Sequence, residues 1–152
     1  MKLAEALLLR ADLQKRIAQL RSRLLRNAKV QEGDPSAEDP QTLLAELERD
    51  TQALETLIAR INRTNLQATS TSGISLTMAL ATRDVLRLKA GVYRDLAEAA
   101  TVTENRYSRS EVKFVSTVNV RDVQREADRL SKRLRELDAE IQAANWNVDL
   151  LE

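Results

Sequence analysis

The sequence predicts an all-α protein built from two long antiparallel helical hairpins, coiled-coil-like, with a short extended or β arm between helices 3 and 4. In four long stretches, apolar residues recur at alternating steps of three and four, the spacing of one buried seam along a helix. Only three glycines and two prolines interrupt the 152 residues. Between helices 3 and 4 the helical period is lost over residues 101–119, and the arm is predicted over residues 106–118. The length suits one helical domain, residues 1–152.

The composition argues against most enzyme classes. The chain is 43% hydrophobic and 31% charged, and 24 basic residues nearly balance 23 acidic ones. It has no cysteine and no histidine, so it lacks a thiolate nucleophile, the commonest general base and the commonest metal ligand. Catalysis by paired carboxylates stays open, but we expect no cofactor, no metal and no enzyme activity. The balanced charge gives no overall attraction to nucleic acid.

The first helix is predicted over residues 3–29. Its seam is formed by Leu13, Ile17, Leu20 and Leu24, with Ala6 and Arg10 continuing it. Leu7, Leu8 and Leu9 point about 100° apart, so one helical partner cannot cover all three. We expect these leucines to be oligomer contacts. Arg10, a polar residue on the seam, is expected to fix the helix register, or alternatively to reach an internal cavity or an oligomer axis.

The second helix is predicted over residues 41–65, after a loop that contains Gly33, Pro35 and Pro40. Its seam is formed by Leu47, Thr51, Leu54, Ile58, Ile61 and Asn65. The short loop makes the first two helices antiparallel neighbours. Asn65 is the second polar seam residue and is also expected to fix the register.

The third helix is predicted over residues 76–100, after a break rich in serine and threonine. Its apolar residues are Leu76, Leu80, Val85, Leu88, Val92 and Leu96, with Met78, Ala81 and Leu86 beside them. They spread too widely for one face, so we expect burial on more than one side. A slim bundle of this size completes such burial by self-association.

The arm and the fourth helix complete the chain. In residues 112–119, Val112, Phe114, Ser116 and Val118 alternate with their neighbours, a pattern typical of a short strand. A single strand needs a partner strand, so we expect Phe114 to be an oligomer contact. The fourth helix is predicted over residues 120–145. Its seam is formed by Val120, Val123, Ala127, Leu130, Leu134, Leu137, Ile141 and Ala144.

The arm also holds the strongest candidate binding site. It consists of Arg106, Tyr107, Arg109, Glu111 and Lys113. Guanidinium groups bind phosphate and carboxylate well, which suggests an anion site for a nucleotide, a phosphorylated metabolite or an acidic partner. The alternative, which we favour, is that these arginines pair with acids such as Glu98, Glu104 or Asp122 and fasten the arm between subunits. No glycine-rich phosphate cradle accompanies them.

Four segments span nearly the whole chain: KLAEALLLRADLQKR, NAKVQEGDPSAEDP, RYSRSEVKFVSTVNV and IQAANW. Together they resemble the septicolysin-like family of small bacterial proteins, which is otherwise of unknown function. The resemblance implies a helical, oligomeric bacterial protein without an agreed activity. The family label suggests a pore-forming cytolysin, and the resemblance provides no catalytic residues.

The sequence therefore predicts a non-enzymatic, homo-oligomeric structural or interaction protein. One alternative is a membrane-acting, cytolysin-like pore former, whose amphipathic helices would expose their seams to lipid. Another is a binder of a small phosphate-bearing ligand through residues 106–113. No stretch approaches the roughly 18 apolar residues of a membrane span. Charged residues in and after the first apolar run differ from a secretory signal, so we expect a cytoplasmic protein.

Overall fold

The computed structural model describes residues 1–102 and 113–152, and four α-helices make up most of them. The helices are α1 Leu3–Arg26, α2 Pro40–Gln67, α3 Leu76–Ala100 and α4 Val120–Asn147. The all-α fold and the two helical hairpins are confirmed, because α1 packs against α2 and α3 packs against α4. Every helix end lies within three residues of its predicted position.

Polar side chains fix the helix ends in the first hairpin. The carboxylate of Asp39 accepts hydrogen bonds from the backbone N–H groups of Gln41 and Thr42, both at 3.2 Å, and so starts α2. α1 ends at Arg26, three residues before the predicted end, and Asn27 caps it. Its amide donates back to the α1 backbone at 2.9 Å, and its oxygen accepts from the backbone N–H of Glu38 at 3.0 Å. These bonds satisfy backbone groups that a helix end leaves unpaired.

The contacts divide the chain into two compact units. Unit 1 comprises Met1–Thr69 and Gln142–Glu152, and unit 2 comprises Ser70–Ile141. The last residues of α4 therefore belong to unit 1. The expectation of one domain over residues 1–152 stays a prediction.

The core of unit 1 lies between α1 and α2. Its buried aliphatic residues include Leu13, Leu20, Leu43, Leu57 and Ile61. Leu13 and Leu20 come from the predicted seam of α1, and Ile61 comes from the predicted seam of α2. The predicted seam of α1 thus contributes to this contact, whereas on α2 the buried positions Leu43, Asp50, Leu57 and Thr64 follow a different heptad from the predicted seam, of which only Ile61 is buried.

The C-terminal segment, residues 148–152, is bound to the start of α1. The backbone N–H of Leu3 donates to the carbonyl of Val148 at 2.9 Å, and the N–H of Leu150 donates to the carbonyl of Met1 at 2.9 Å. Leu150 itself is buried. The segment thus closes unit 1 by backbone pairing together with burial of one leucine.

The same segment is bound to the end of α2. The backbone N–H of Leu151 donates to the hydroxyl of Thr64 at 3.0 Å, and Arg60 Nε donates to the carbonyl of Leu151 at 2.9 Å. Lys2 Nζ lies 2.9 Å from Asp149 Oδ1. The hydrogen bond from Lys2 lowers the pKa of the Asp149 carboxyl below its usual value. Side-chain and backbone groups at the start of α1 and at the end of α2 therefore bind the C-terminal segment.

The core of unit 2 lies between α3 and α4. Its buried cluster consists of Ala79, Leu86, Ala90, Leu130, Leu137 and Ile141. The predicted seam of α4 is confirmed over its whole length, because each of its residues is buried or half-buried. On α3, two of the three cluster residues are alanines, and their small side chains let the two helices approach closely.

The predicted β arm is not confirmed. Residues 113–118, the described part of the arm, contain a bend and no strand, and the rest of the arm lies outside the described residues. Phe114 and Val115 are both strongly exposed. An alternating pattern favours a strand when one of its faces packs on other residues, and these two neighbours, which a strand would point to opposite faces, are not packed.

Candidate self-association surface on α3

One face of α3 exposes its larger aliphatic side chains to solvent. The α3 stripe consists of Met78, Val85, Leu88, Val92 and Leu96, which are 58%, 62%, 72%, 64% and 40% exposed. Four of these residues and Ala81 follow one another at alternating steps of three and four: Met78, Ala81, Val85, Leu88 and Val92. That spacing places them on one side of the helix, as in the seam of a coiled coil.

The other side of α3 is buried against α4. Ala79, Leu86 and Ala90 lie in the core cluster of unit 2, Leu80 packs against it, and Ala97 is also buried. α3 therefore has two apolar faces, an inner face of alanines and leucines and an outer face of exposed aliphatics. The sequence predicted burial of α3 on more than one side, and among residues 1–102 and 113–152 one side is buried.

Charged residues flank the α3 stripe on both sides. Asp84 lies on one flank and Lys89 on the other, since successive residues turn about 100° around a helix. Arg83 Nε and Nη2 donate to Asp84 Oδ1 at 3.0 and 2.9 Å. An exposed pair of this kind contributes about 0 to 1 kcal/mol. The flanks thus combine one acidic and one basic group beside an apolar seam.

The oligomer contacts predicted from the sequence, which are outside the α3 stripe, lie partly at the surface. Leu8, Leu9 and Phe114 are exposed, and Leu7 is half-buried. Leu9 lines an open groove of about 450 Å³ in unit 1, together with residues of α2 that include Arg49 and Arg60. These contacts stay predictions.

Most of the predicted anion site lies outside the described residues. Arg106, Tyr107, Arg109 and Glu111 belong to the undescribed stretch, and Lys113 is described and exposed. Within residues 1–102 and 113–152, no cluster of acidic, histidine or cysteine side chains is arranged to hold a metal ion. In the same ranges, no helix is both long enough and apolar enough to cross a membrane.

The seam of unit 1 contains a buried acid that the sequence pattern did not reveal. The predicted polar residues, Arg10 and Asn65, are half-buried. Asp50 is 7% exposed, and its Oδ1 accepts from Arg16 Nη2 at 2.7 Å. Its Oδ2 is buried and has no hydrogen-bond partner among the described residues. Asp50 lies seven residues after Leu43, which is also buried, and that spacing was the signal that could have identified it.

Replacement of Asp50 by leucine is expected to raise the free energy of unfolding by about 1 kcal/mol. The change removes a buried carboxylate that has only one partner and puts an apolar side chain on the seam. Denaturation with guanidinium at neutral pH measures the effect. As a control, Glu48→Leu at a neighbouring exposed position should stay within about 0.5 kcal/mol of the original chain. A clear loss of stability in Asp50→Leu would show that the carboxylate supports the hairpin.

Comparison with known proteins gives a family and a solved structure, both without an assigned function. The profile of a family of unknown function, DUF6847, matches residues 10–150. The chain is also similar to a crystal structure described as that of a functionally unknown conserved protein from Corynebacterium diphtheriae. The two are 45% identical, the match covers 99% of each chain, and the TM-score is 0.91. No curated protein matches.

The resemblance to septicolysin-like proteins is wrong. The match to the family of unknown function covers most of the chain, and neither it nor the similar crystal structure points to a septicolysin-like protein. The segments that suggested the resemblance are mainly stretches of amphipathic helix and loop, and unrelated helical proteins share such patterns. The pore-forming activity that the label suggested loses its support.

Proposed function

The chain belongs to the DUF6847 family of unknown function, and we propose that it is a non-enzymatic interaction protein whose copies associate through the α3 stripe. The observation that carries the proposal is the arrangement of α3. This helix buries alanines together with Leu76 and Leu86, and it leaves the five large aliphatic side chains of the α3 stripe exposed to solvent. A structural role through self-association accounts for that arrangement, because a second copy covers the outer face.

The regular spacing separates the α3 stripe from ordinary surface hydrophobics. Single exposed apolar residues are common in soluble proteins and need no explanation. A contiguous exposed apolar patch, by contrast, marks an interaction site or an aggregation hazard. Fully burying one leucine or valine side chain contributes about 1.5 to 3 kcal/mol. The central residues Val85, Leu88 and Val92 are all more than half exposed, so most of this free energy is still to be gained.

The residue types of the chain support an interaction role over catalysis. The whole sequence contains no histidine and no cysteine, so general acid–base and thiolate chemistry would have to rely on other groups. Leu8, Leu9 and Phe114 are exposed as well, and we propose them as secondary contacts between copies. These residues lie in other parts of the chain, and the proposal rests on the α3 stripe alone.

Replacement of Leu88 by glutamate tests the proposal. Association of two copies would bury the new carboxylate at the centre of the α3 stripe, so the dissociation constant should rise at least about tenfold, which corresponds to 1.4 kcal/mol. Sedimentation equilibrium measures the constant, and circular dichroism checks that the helix content is unchanged.

Arg87→Glu is the matched control. Arg87 is exposed on the same helix, one residue from Leu88, but its side chain points about 100° away. This variant should associate like the original chain, although it changes the net charge by more than Leu88→Glu does. Equal association of all three proteins would overturn the proposed function.

A further inference from the structure

We propose that two copies of this chain pair their α3 helices in parallel and in register, as a two-stranded coiled coil along the α3 stripe. The inference rests on the proposed function, because it takes association through the stripe as given. It adds the number of copies, the orientation of the helices and the charged residues that fix the register.

The order of residue types along the stripe favours two parallel strands. The step of three from Val85 to Leu88 and the step of four from Leu88 to Val92 assign the valines to position a and the leucine to position d of a heptad. Met78 and Ala81 occupy the preceding a and d positions. β-Branched residues at a with leucine at d favour a parallel two-stranded coil over trimers and tetramers.

The flanking charges favour the same orientation. Asp84 directly precedes an a residue and so occupies position g, and Lys89 directly follows a d residue and so occupies position e. In a parallel pair, a g residue lies beside the e residue five positions later in the partner, which is the spacing from Asp84 to Lys89. The two-fold symmetry of such a dimer makes this pair twice.

The existing contacts of Asp84 are compatible with this pairing. Both hydrogen bonds from Arg83 reach Asp84 Oδ1, at 3.0 and 2.9 Å, so Oδ2 is available to Lys89 of the partner subunit. In an antiparallel pair, g residues flank g residues and e residues flank e residues. Asp84 and Lys89 would then lie on different sides of the contact and could not pair.

The paired part of the stripe also has a defined C-terminal end. Asp95 occupies the next d position after Val92 and is exposed. A parallel dimer would bring two Asp95 carboxylates together, and like charges at this distance repel each other. The paired part of the stripe therefore runs from Met78 to Val92, about four turns of helix, and Leu96 lies beyond it.

Single cysteines placed in this cysteine-free chain test the orientation. Met78→Cys and Leu88→Cys are oxidised under mild conditions, and disulfide-linked dimers are counted by non-reducing electrophoresis. A disulfide needs two Cα atoms within about 7 Å. In a parallel, in-register pair, each position faces its own copy, so both variants should cross-link. Arg87→Cys, on the side away from the stripe, is the control and should not.

The outcomes separate the inference from the proposed function. In an antiparallel pair centred on the stripe, the two copies of residue 78 would lie roughly 25 Å apart, as the rise of 1.5 Å per residue requires. Cross-linking of Leu88→Cys without Met78→Cys would therefore overturn the parallel register and leave association through the stripe intact. Absence of cross-links in both variants, together with a dissociation constant that Leu88→Glu leaves unchanged, would overturn association through the stripe as well.

A charge exchange provides a second test that does not depend on oxidation. Asp84→Lys and Lys89→Asp should each raise the dimer dissociation constant about fivefold, because each turns two attractive pairs into two repulsive ones. The double variant Asp84→Lys/Lys89→Asp restores the opposite charges and should return to within about twofold of the original value. Additive weakening in the double variant would overturn the pairing of these two residues.

Discussion

Replacement of Leu130 by alanine is expected to lower the free energy of unfolding by about 2 to 5 kcal/mol. Leu130 is almost fully buried in the cluster that joins α4 to α3. Removing its outer methyl groups leaves a cavity that the neighbouring Leu86 and Leu137 can fill only in part. Guanidinium denaturation followed by circular dichroism measures the loss.

Leu88→Ala is the matched control for this change. It removes the same atoms from α3, at a position that the single chain leaves exposed. At protein concentrations low enough to keep copies apart, its free energy of unfolding should lie within about 0.5 kcal/mol of the original value. A loss as large as that of Leu130→Ala would mean that the isolated chain buries Leu88, which would contradict the exposed α3 stripe.

Removal of residues 148–152 is expected to lower the free energy of unfolding by about 3 kcal/mol. The deletion takes away the buried side chain of Leu150, worth about 1.5 to 3 kcal/mol. It also uncovers Leu3 and Thr64, which are fully buried in the intact chain. Thermal and guanidinium denaturation measure the change, and faster hydrogen exchange at the start of α1 should accompany it.

Asp149→Ala separates the charged contact of this segment from its burial. Lys2 and Asp149 form an exposed pair, and such pairs contribute little to stability. This variant should keep nearly all of the original stability. If the deletion lowered the free energy of unfolding no more than Asp149→Ala does, the segment would not close unit 1 as described.

The seams of α1 and α4 could be predicted from the sequence, whereas on α2 only Ile61 of the predicted seam is buried. In α4, the steps of three and four identified a seam whose members are all buried or half-buried, because no second apolar face competes with it. α3 has two apolar faces, and the predicted apolar residues fall on both: Leu76, Leu80 and Leu86 are buried or half-buried, and the others are exposed. The alanines of the inner face, Ala79, Ala90 and Ala97, gave a weak signal, since alanine is only slightly apolar. Packing against α4 decided which face was buried.

Contacts between distant parts of the chain could not be predicted from local patterns. The C-terminal segment is held largely by backbone hydrogen bonds, including those of Leu3 and Leu150, and backbone groups are the same in every sequence. Asp50 was missed because an acid between apolar residues usually marks the exposed side of a helix. The alternating pattern around Phe114 suggested a strand, but the described part of this segment has no apolar surface to pack against.

The central claim is that copies of this chain associate through the α3 stripe. The most direct test is the mass of the unaltered protein in solution, measured by sedimentation equilibrium over the micromolar range at neutral pH. The account predicts a mass that rises with concentration toward twice the 17.1 kDa of one chain. A mass that stays at 17.1 kDa over the whole range would contradict it.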